Sequence, residues 1–325
     1  MPMFRRILRQ LLYAAALILA VLVLNFLLIQ LAPGDPAEVI AGEMGGASAE
    51  VMAAIREQYG LDKPLLTQLG LYLGRALQGD LGMSYYYNRP VVDLILSRLG
   101  PTMLLVATAL GFALIVGTRL GMLASRNPRG IASAVVTVLS LIGYSAPVFW
   151  TGLMLVILFA AKIPLFPVAG MIDVVKQGGT LMRALDIAHH LVLPGLTLGL
   201  VYLAQYSRLT RASMLEVLGA DYIRTARAKG VSEKLVFRRH AFRNAMLPVV
   251  TVAGMQFGAI ISGAVLVETV FSWPGLGTLA FQSILARDYP TVLGILFFST
   301  LIVIIANLLT DFVSRLLDPR LAKGR

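Results

Sequence analysis

A chain of 325 residues that is 58% hydrophobic and only 14% charged, with a mean hydropathy of +0.79, carries more apolar side chain than a soluble core of that length uses. Its formal charge of +11 invites an anionic partner, but no basic stripe is interleaved with exposed aromatics, which argues against nucleic acid. The absence of cysteine excludes disulfides and thiolate metal sites. An all-α polytopic membrane protein is the predicted class.

An apolar run of about 20 residues crosses a bilayer as a helix. Six such runs fall near 11–31, 102–124, 132–161, 190–209, 246–268 and 291–313. They are continuously apolar and lack the alternation of a barrel strand, so helices are expected. Lys and Arg gather at Arg5, Arg6 and Arg9, at Arg119, Arg126 and Arg129, from Arg208 to Arg243, and at Arg315 to Arg325. By the positive-inside rule these segments and both termini are cytoplasmic. The first run is too long for a cleavable signal and is read as a span. The resulting division is a tail and first span (1–31), an extracytoplasmic loop with short helices (32–100), and a five-span core (101–325).

In the outer loop, Pro33-Gly34-Asp35-Pro36 stops the first helix. Ser48 is placed to cap a helix ending near Gly60, and a second helix is predicted from Leu65 to Leu77. Asp80, between Gly79 and Gly82, suits a turn cap or a ligand contact. Tyr85-Tyr86-Tyr87 fits a membrane interface. Bends are expected at Pro147, Pro194 and Pro248. Gly254 and Gly258 offer a face for close helix approach.

The centres of the spans contain no Asp, Glu, Lys, Arg or His; Arg119, Glu268 and Asp311 lie near span ends. No relay for ion-coupled transport is visible, and no G-x-x-x-x-G-K-[ST] supplies an ATPase. Energy for uphill movement must then come from a partner. The cytoplasmic segment 216–245 is the candidate contact. Asp221 is positioned to cap a helix through Lys229, Gly230 to end it, and Ser232 to open a second helix toward Asn244. Such a knob fits a groove on another protein, although a merely solvated positive loop has the same charge.

Asp221-Tyr222-Ile223-Arg224-Thr225-Ala226-Arg227-Ala228-Lys229-Gly230, followed by His240-Ala241-x-Arg243-Asn244-Ala245-x-Leu247-Pro248, resembles the coupling-loop signature of B-type permease subunits of ABC importers of the dipeptide, oligopeptide, nickel and glutathione group. The resemblance extends to Ala32-Pro33-Gly34-Asp35-Pro36, Tyr59-Gly60-Leu61-Asp62, Gly79-Asp80-Leu81-Gly82-x-Ser84, Arg208-x-x-Arg211-x-Ser213, Glu268-Thr269-Val270-Phe271-Ser272-Trp273-Pro274-Gly275-Leu276-Gly277, Arg287-Asp288-Tyr289-Pro290 and Asp318-Pro319-Arg320. Arg224-Thr225-Ala226 stands where ABC importers more generally carry Glu-Ala-Ala, and Ala245 where isoleucine is common.

The resemblance implies a type I importer permease fold in a bacterial plasma (inner) membrane. It implies a homologous second permease, two ABC ATPase subunits that hold ATP and Mg, and an extracytoplasmic substrate-binding protein. This chain itself would bind no cofactor or metal and catalyse nothing. The ATPase-docking residues implied are Asp221, Tyr222, Arg224, Thr225, Ala226, Arg227, Lys229 and Gly230. Ser140, Tyr144, Ser145, Gln205, Gln256 and Ser262 are candidate pathway-lining residues, because polar groups within a span need partners or water. Asp80, Glu268, Trp273 and Asp288 are candidates for an outer gate or a receptor contact. A non-enzymatic channel or scaffold shares the spans and charge bias. An intramembrane enzyme does not fit, since His189, His190 and His240 lack metal-site spacing and no serine dyad sits at span depth.

Overall fold

The computed structural model describes residues 2–31, 52–53, 62–173, 175 and 178–317, with some helical residues, Tyr144 and Ser262 among them, described by backbone alone. Among these residues the chain is helical: α1 (Pro2–Leu31), α2 (Leu65–Leu77), α3 (Val91–Arg126), α4 (Ile131–Ser145), α5 (Val148–Val156), α6 (Thr180–Leu218), α7 (Asp221–Ala228), α8 (Phe242–Val270), α9 (Leu276–Leu285) and α10 (Tyr289–Leu317). Of the predicted helix opened by Ser48 only residues 52 and 53 are described, both helical, and the motifs at 32–36, 59–61 and 318–320 lie outside the described residues.

Four of the described helices are long and apolar enough to cross a membrane: Leu8–Leu28 of α1, all of α3, all of α6, and Tyr289–Thr310 of α10. A fifth span forms if α4 and α5 count as one. They meet at a bend of 100° where Pro147 caps α5, so the predicted run 132–161 is broken rather than straight. Proline cannot donate its backbone N–H and disfavours a helical residue before it, which ends α4 at Ser145. Beyond Val156 the backbone continues to Lys162 with π-helical bonding.

Two predicted boundaries move. Residues 102–124 sit inside a helix of 36 residues, and 190–209 inside one of 39, about 54 and 58 Å long at 1.5 Å per residue. Pro101 and Pro194 are interior residues rather than boundaries. The α2 prediction coincides with the observed helix, which ends where Gly79 adopts φ +81° and the Asp80 N–H bonds the Arg75 carbonyl.

The fold divides into two compact units, residues 1–99 with 279–304 and residues 100–278 with 305–325. In the first, Asn25, 1% exposed, donates from Nδ2 to the Leu293 carbonyl at 3.1 Å. This ties α1 to α10 where an unsatisfied amide in an apolar surround would cost several kcal/mol, roughly. In the second, α3 crosses α6 through glycine. A Cβ on Gly117 would lie 2.9 Å from the Leu203 carbonyl oxygen, and one on Gly121 2.5 Å from that of Ser207. Small residues let membrane helices approach to backbone contact and gain dispersion energy there. The face expected at Gly254 is also tightly packed, since a Cβ there would run into Thr310, whereas the Gly117 and Gly121 pair carries no such expectation from sequence.

Candidate functional site

Segment 216–245 forms a knob at the end of α6. Its apolar residues explain the shape: Ile223 and Ala226, three positions apart on α7, face inward against Met214 of α6 and Val236, Ala241 and Ala245 of the following helix. Met122, Val217 and Phe242 pack around this cluster. The opposite face of α7 carries Tyr222, Arg224, Thr225, Arg227 and Lys229, all exposed. Of the residues implied as docking contacts, Ala226 therefore anchors the helix instead of facing outward, being 8% exposed.

Asp221 is the first helical residue, not the cap. Ala220, extended at ψ 149°, holds the cap position, and the Asp221 carboxylate lies 3.4 Å from Arg224 on the surface. An acid in the first turn still complements the helix dipole. Gly230 ends α7 as expected: at φ +76° it lets the Val231 N–H reach the Ala226 carbonyl at 3.2 Å. Ser232 precedes a helical turn at Glu233–Leu235, but this does not stop near Asn244. It passes through a π-helical turn at Val236–Ala241 directly into α8. The knob is thus one short helix braced on the root of a long one.

Polar bonds lock that brace. Arg227 donates from Nε and Nη2 to Glu233 at 2.6 and 3.3 Å, and Asn244 donates to the Tyr222 hydroxyl at 2.9 Å. The bond from Arg227 holds the Glu233 carboxyl below its usual range and pushes the guanidinium up. Because the folded carboxyl is depressed, its contribution is present at neutral pH and is lost as pH falls through the folded value. Full exposure keeps it small.

Deeper in the second unit, the Tyr206 hydroxyl donates to Gln256 Oε1 at 2.7 Å, and Gln256 Nε2 donates to Gln205 Oε1 at 2.7 Å. Two of the predicted pathway residues are thus brought together across α6 and α8. Ser140 is buried, Ser145 is exposed, and the side chains of Tyr144 and Ser262 lie outside the described residues.

Of the four outer candidates, Glu268, Trp273 and Asp288 are buried and Asp80 is exposed. Glu268, fully buried, accepts from Thr102 Oγ1 at 2.6 Å, from the Gly277 N–H at 2.7 Å and from the Thr278 N–H at 3.1 Å. Its charge thereby meets the first turn of α9, where unpaired N–H groups and the helix dipole favour an anion. Thr102 also accepts from the Leu276 N–H, and the Trp273 indole donates to the Pro101 carbonyl at 2.9 Å. In the other unit, buried Asp288 accepts from Ser84 Oγ and Thr291 Oγ1, both at 2.6 Å, and from the Tyr85 N–H at 3.2 Å. Asp80 accepts from the Gly82 N–H at 2.9 Å, closing a turn. Thr102 and Ser84 have no separate signal in sequence that would pair them with these acids.

Among the described residues no group of His, Cys, Asp and Glu is placed to hold a metal ion. His189 Nε2 bonds the Leu165 carbonyl at 2.8 Å, and His190 lies beside Asp186.

Comparison with known proteins agrees with this architecture. Residues 117–323 match the family described as binding-protein-dependent transport system inner membrane component, and residues 3–106 match its N-terminal companion. The dipeptide transport system permease protein DppB of Escherichia coli K12 is 40% identical, over 98% of this chain and 99% of its own. The glutathione transport system permease protein GsiC of the same strain is 39% identical, over 98% of each. A structure of the MetNI methionine ABC transporter superposes with a TM-score of 0.54, covering 69% of this chain and 96% of its own at 16% identity, a likeness of fold. The chain belongs to the family of inner membrane components of binding-protein-dependent transport systems.

Proposed function

We propose that this permease subunit forms half of the pathway of an ATP-driven, peptide-type importer, and that α7 is the lever on which an ATPase partner docks. Six spans complete the topology if bent α4–α5 counts as one and the 29 residues of α8 as another. Both termini then face the cytoplasm, and the ends of α3 and α6, with α7, emerge on the same side, in accord with their arginines. A homologous second permease would supply the other half, two ATPases the ATP and Mg, and an extracytoplasmic binding protein the cargo. The plasma membrane of a bacterium is the implied location, and the DppB and GsiC relatives are what support peptides or glutathione as cargo.

One observation carries the docking assignment: α7 buries Ile223 and Ala226 against the α6–α8 junction while leaving a polar face outward. A rigid element so braced moves as a body when pushed. Gln205 and Gln256 line the proposed route, where amide groups can trade hydrogen bonds with a peptide backbone. A channel or scaffold would leave the outward face of α7 without a partner.

The absence of native cysteine makes the test direct. Thr225→Cys and Arg224→Cys should cross-link to ATPase subunits in membranes, and Ala226→Cys, facing inward, should not. Equal labelling of all three, or of none, contradicts the assignment.

A further inference from the structure

The two glutamines that join α6 to α8 carry more hydrogen-bond donors than a tie between helices needs. Tyr206 gives its hydroxyl proton to Gln256 Oε1, and Gln256 Nε2 donates to Gln205 Oε1, both at 2.7 Å. One of the four N–H groups on the two amides is thereby spent, and among the described residues the other three have no partner. Two of those three belong to Gln205, the open end of the chain of bonds. Gln205 and Gln256 are partly exposed, whereas Tyr206 is 0% exposed.

The depth of this open end follows from α8 alone. Gln256 stands at the midpoint of its 29 residues, about 21 Å from either end at 1.5 Å per residue. Gln205 shares that depth because it is bonded to Gln256. A hydrocarbon core of about 30 Å crossed by α8 therefore has both amides near its middle. Free N–H groups facing lipid there would go unmatched at a cost of several hydrogen bonds, so this face suits the water-filled route between permeases.

The bonds also have a direction, and the buried end sets it. With the Gln256 amide turned over, its N–H would donate to Tyr206, and Gln205 would turn with it to present Oε1 in place of its N–H groups. The Tyr206 proton would then have no acceptor among the described residues, and a buried donor left unmade is the costlier arrangement. The ring cannot swing to another acceptor, being packed among Ala113, Val249 and Ala253.

We propose that Tyr206, on the importer reading on which this rests, is a positioning residue for cargo recognition. Without reaching the route, it turns the Gln205 amide so that this section offers N–H donors and selects the oxygen acceptors of a peptide, its carbonyls and terminal carboxylate.

The test uses the chain with its co-assembling subunits in proteoliposomes, at saturating cargo-loaded binding protein, and compares a dipeptide with its thioamide analogue. Sulfur in place of the carbonyl oxygen is the weaker acceptor. Uptake per ATP hydrolysed should favour the dipeptide roughly threefold to tenfold, the worth of one hydrogen bond. Tyr206→Phe keeps the packed ring and loses the proton, and should bring the ratio close to one. Gln205→Met, on the partly exposed face, should do the same and serves if Tyr206→Phe fails to assemble. A purely structural role would slow both peptides alike and leave the ratio unchanged. On the chain alone, isotope-labelled tyrosine at position 206 should show, in infrared difference spectra against Gln256→Ala, a hydroxyl that donates.

A hydroxyl that accepts overturns the proposal. A working importer whose ratio is the same in wild type and in these variants overturns it too, and leaves the importer reading standing. A complex that carries neither peptide contradicts the importer reading, and the proposal falls with it.

Discussion

Replacing Glu268 with alanine would leave the Gly277 and Thr278 N–H groups and the Thr102 hydroxyl facing a void. Each buried donor left unmade costs about 1–3 kcal/mol, and Glu268→Gln keeps one acceptor oxygen and forfeits less. The chain has two tryptophans, Trp150, half-exposed, and Trp273, fully buried beside this carboxylate's loop. In a Trp150→Phe background, Glu268→Ala should shift Trp273 emission to the red and lower the melting temperature, with Glu268→Gln between it and wild type. An alanine variant that melts like its parent would show that the carboxylate does not hold the α8–α9 corner. The resemblance marks Glu268, Trp273 and Asp288 as special, and the structure shows them buried with internal hydrogen-bond partners. What was not legible was the partner: Thr102 lies 166 residues from Glu268 and Ser84 204 from Asp288, separations that only the tertiary fold brings within 2.6 Å.

At the scale of elements, the α7 corner is the sharpest case of conformation dictated by one residue. A Cβ on Gly230 would meet nothing within 4 Å, so the cost of substitution there is the left-handed backbone alone. Gly230→Val should therefore insert and assemble normally, yet strain the end of α7 by about 1–2 kcal/mol and disturb its tilt. ATP hydrolysis should persist while uptake falls, measured side by side in proteoliposomes; uptake at the parental rate would remove α7 from the coupling path. Helix ends with glycine were readable for this reason, as at Gly79 and Gly230. Ends without a glycine signal were not: α3 runs ten residues before Pro101, and α8 begins in a π-helical turn that no periodicity announces. Proline inside a span is tolerated where neighbours take up the freed carbonyl. The Pro101 carbonyl itself accepts from the Trp273 indole N–H.

For the whole molecule, apolar composition and positive-inside arginines fixed the class, since a bilayer leaves a chain this hydrophobic few alternatives to helices. They could not show that α4 and α5 meet at 100°, because the apolar count is the same for a bent and a straight span. Nor could they show that α3 and α6 touch through Gly117 and Gly121, which depends on rotation about each helix axis. In the proposed function the chain is a permease that transmits work done elsewhere, a reading supported by a sequence without a nucleotide-binding loop and by a braced helix with a polar outward face. Affinity purification of the chain from its native membrane, with identification of its companions and an ATPase assay, tests that claim most directly. A second permease and ATPase subunits should co-purify, with hydrolysis stimulated by a cargo-loaded binding protein; a stable chain free of ATPases would contradict it.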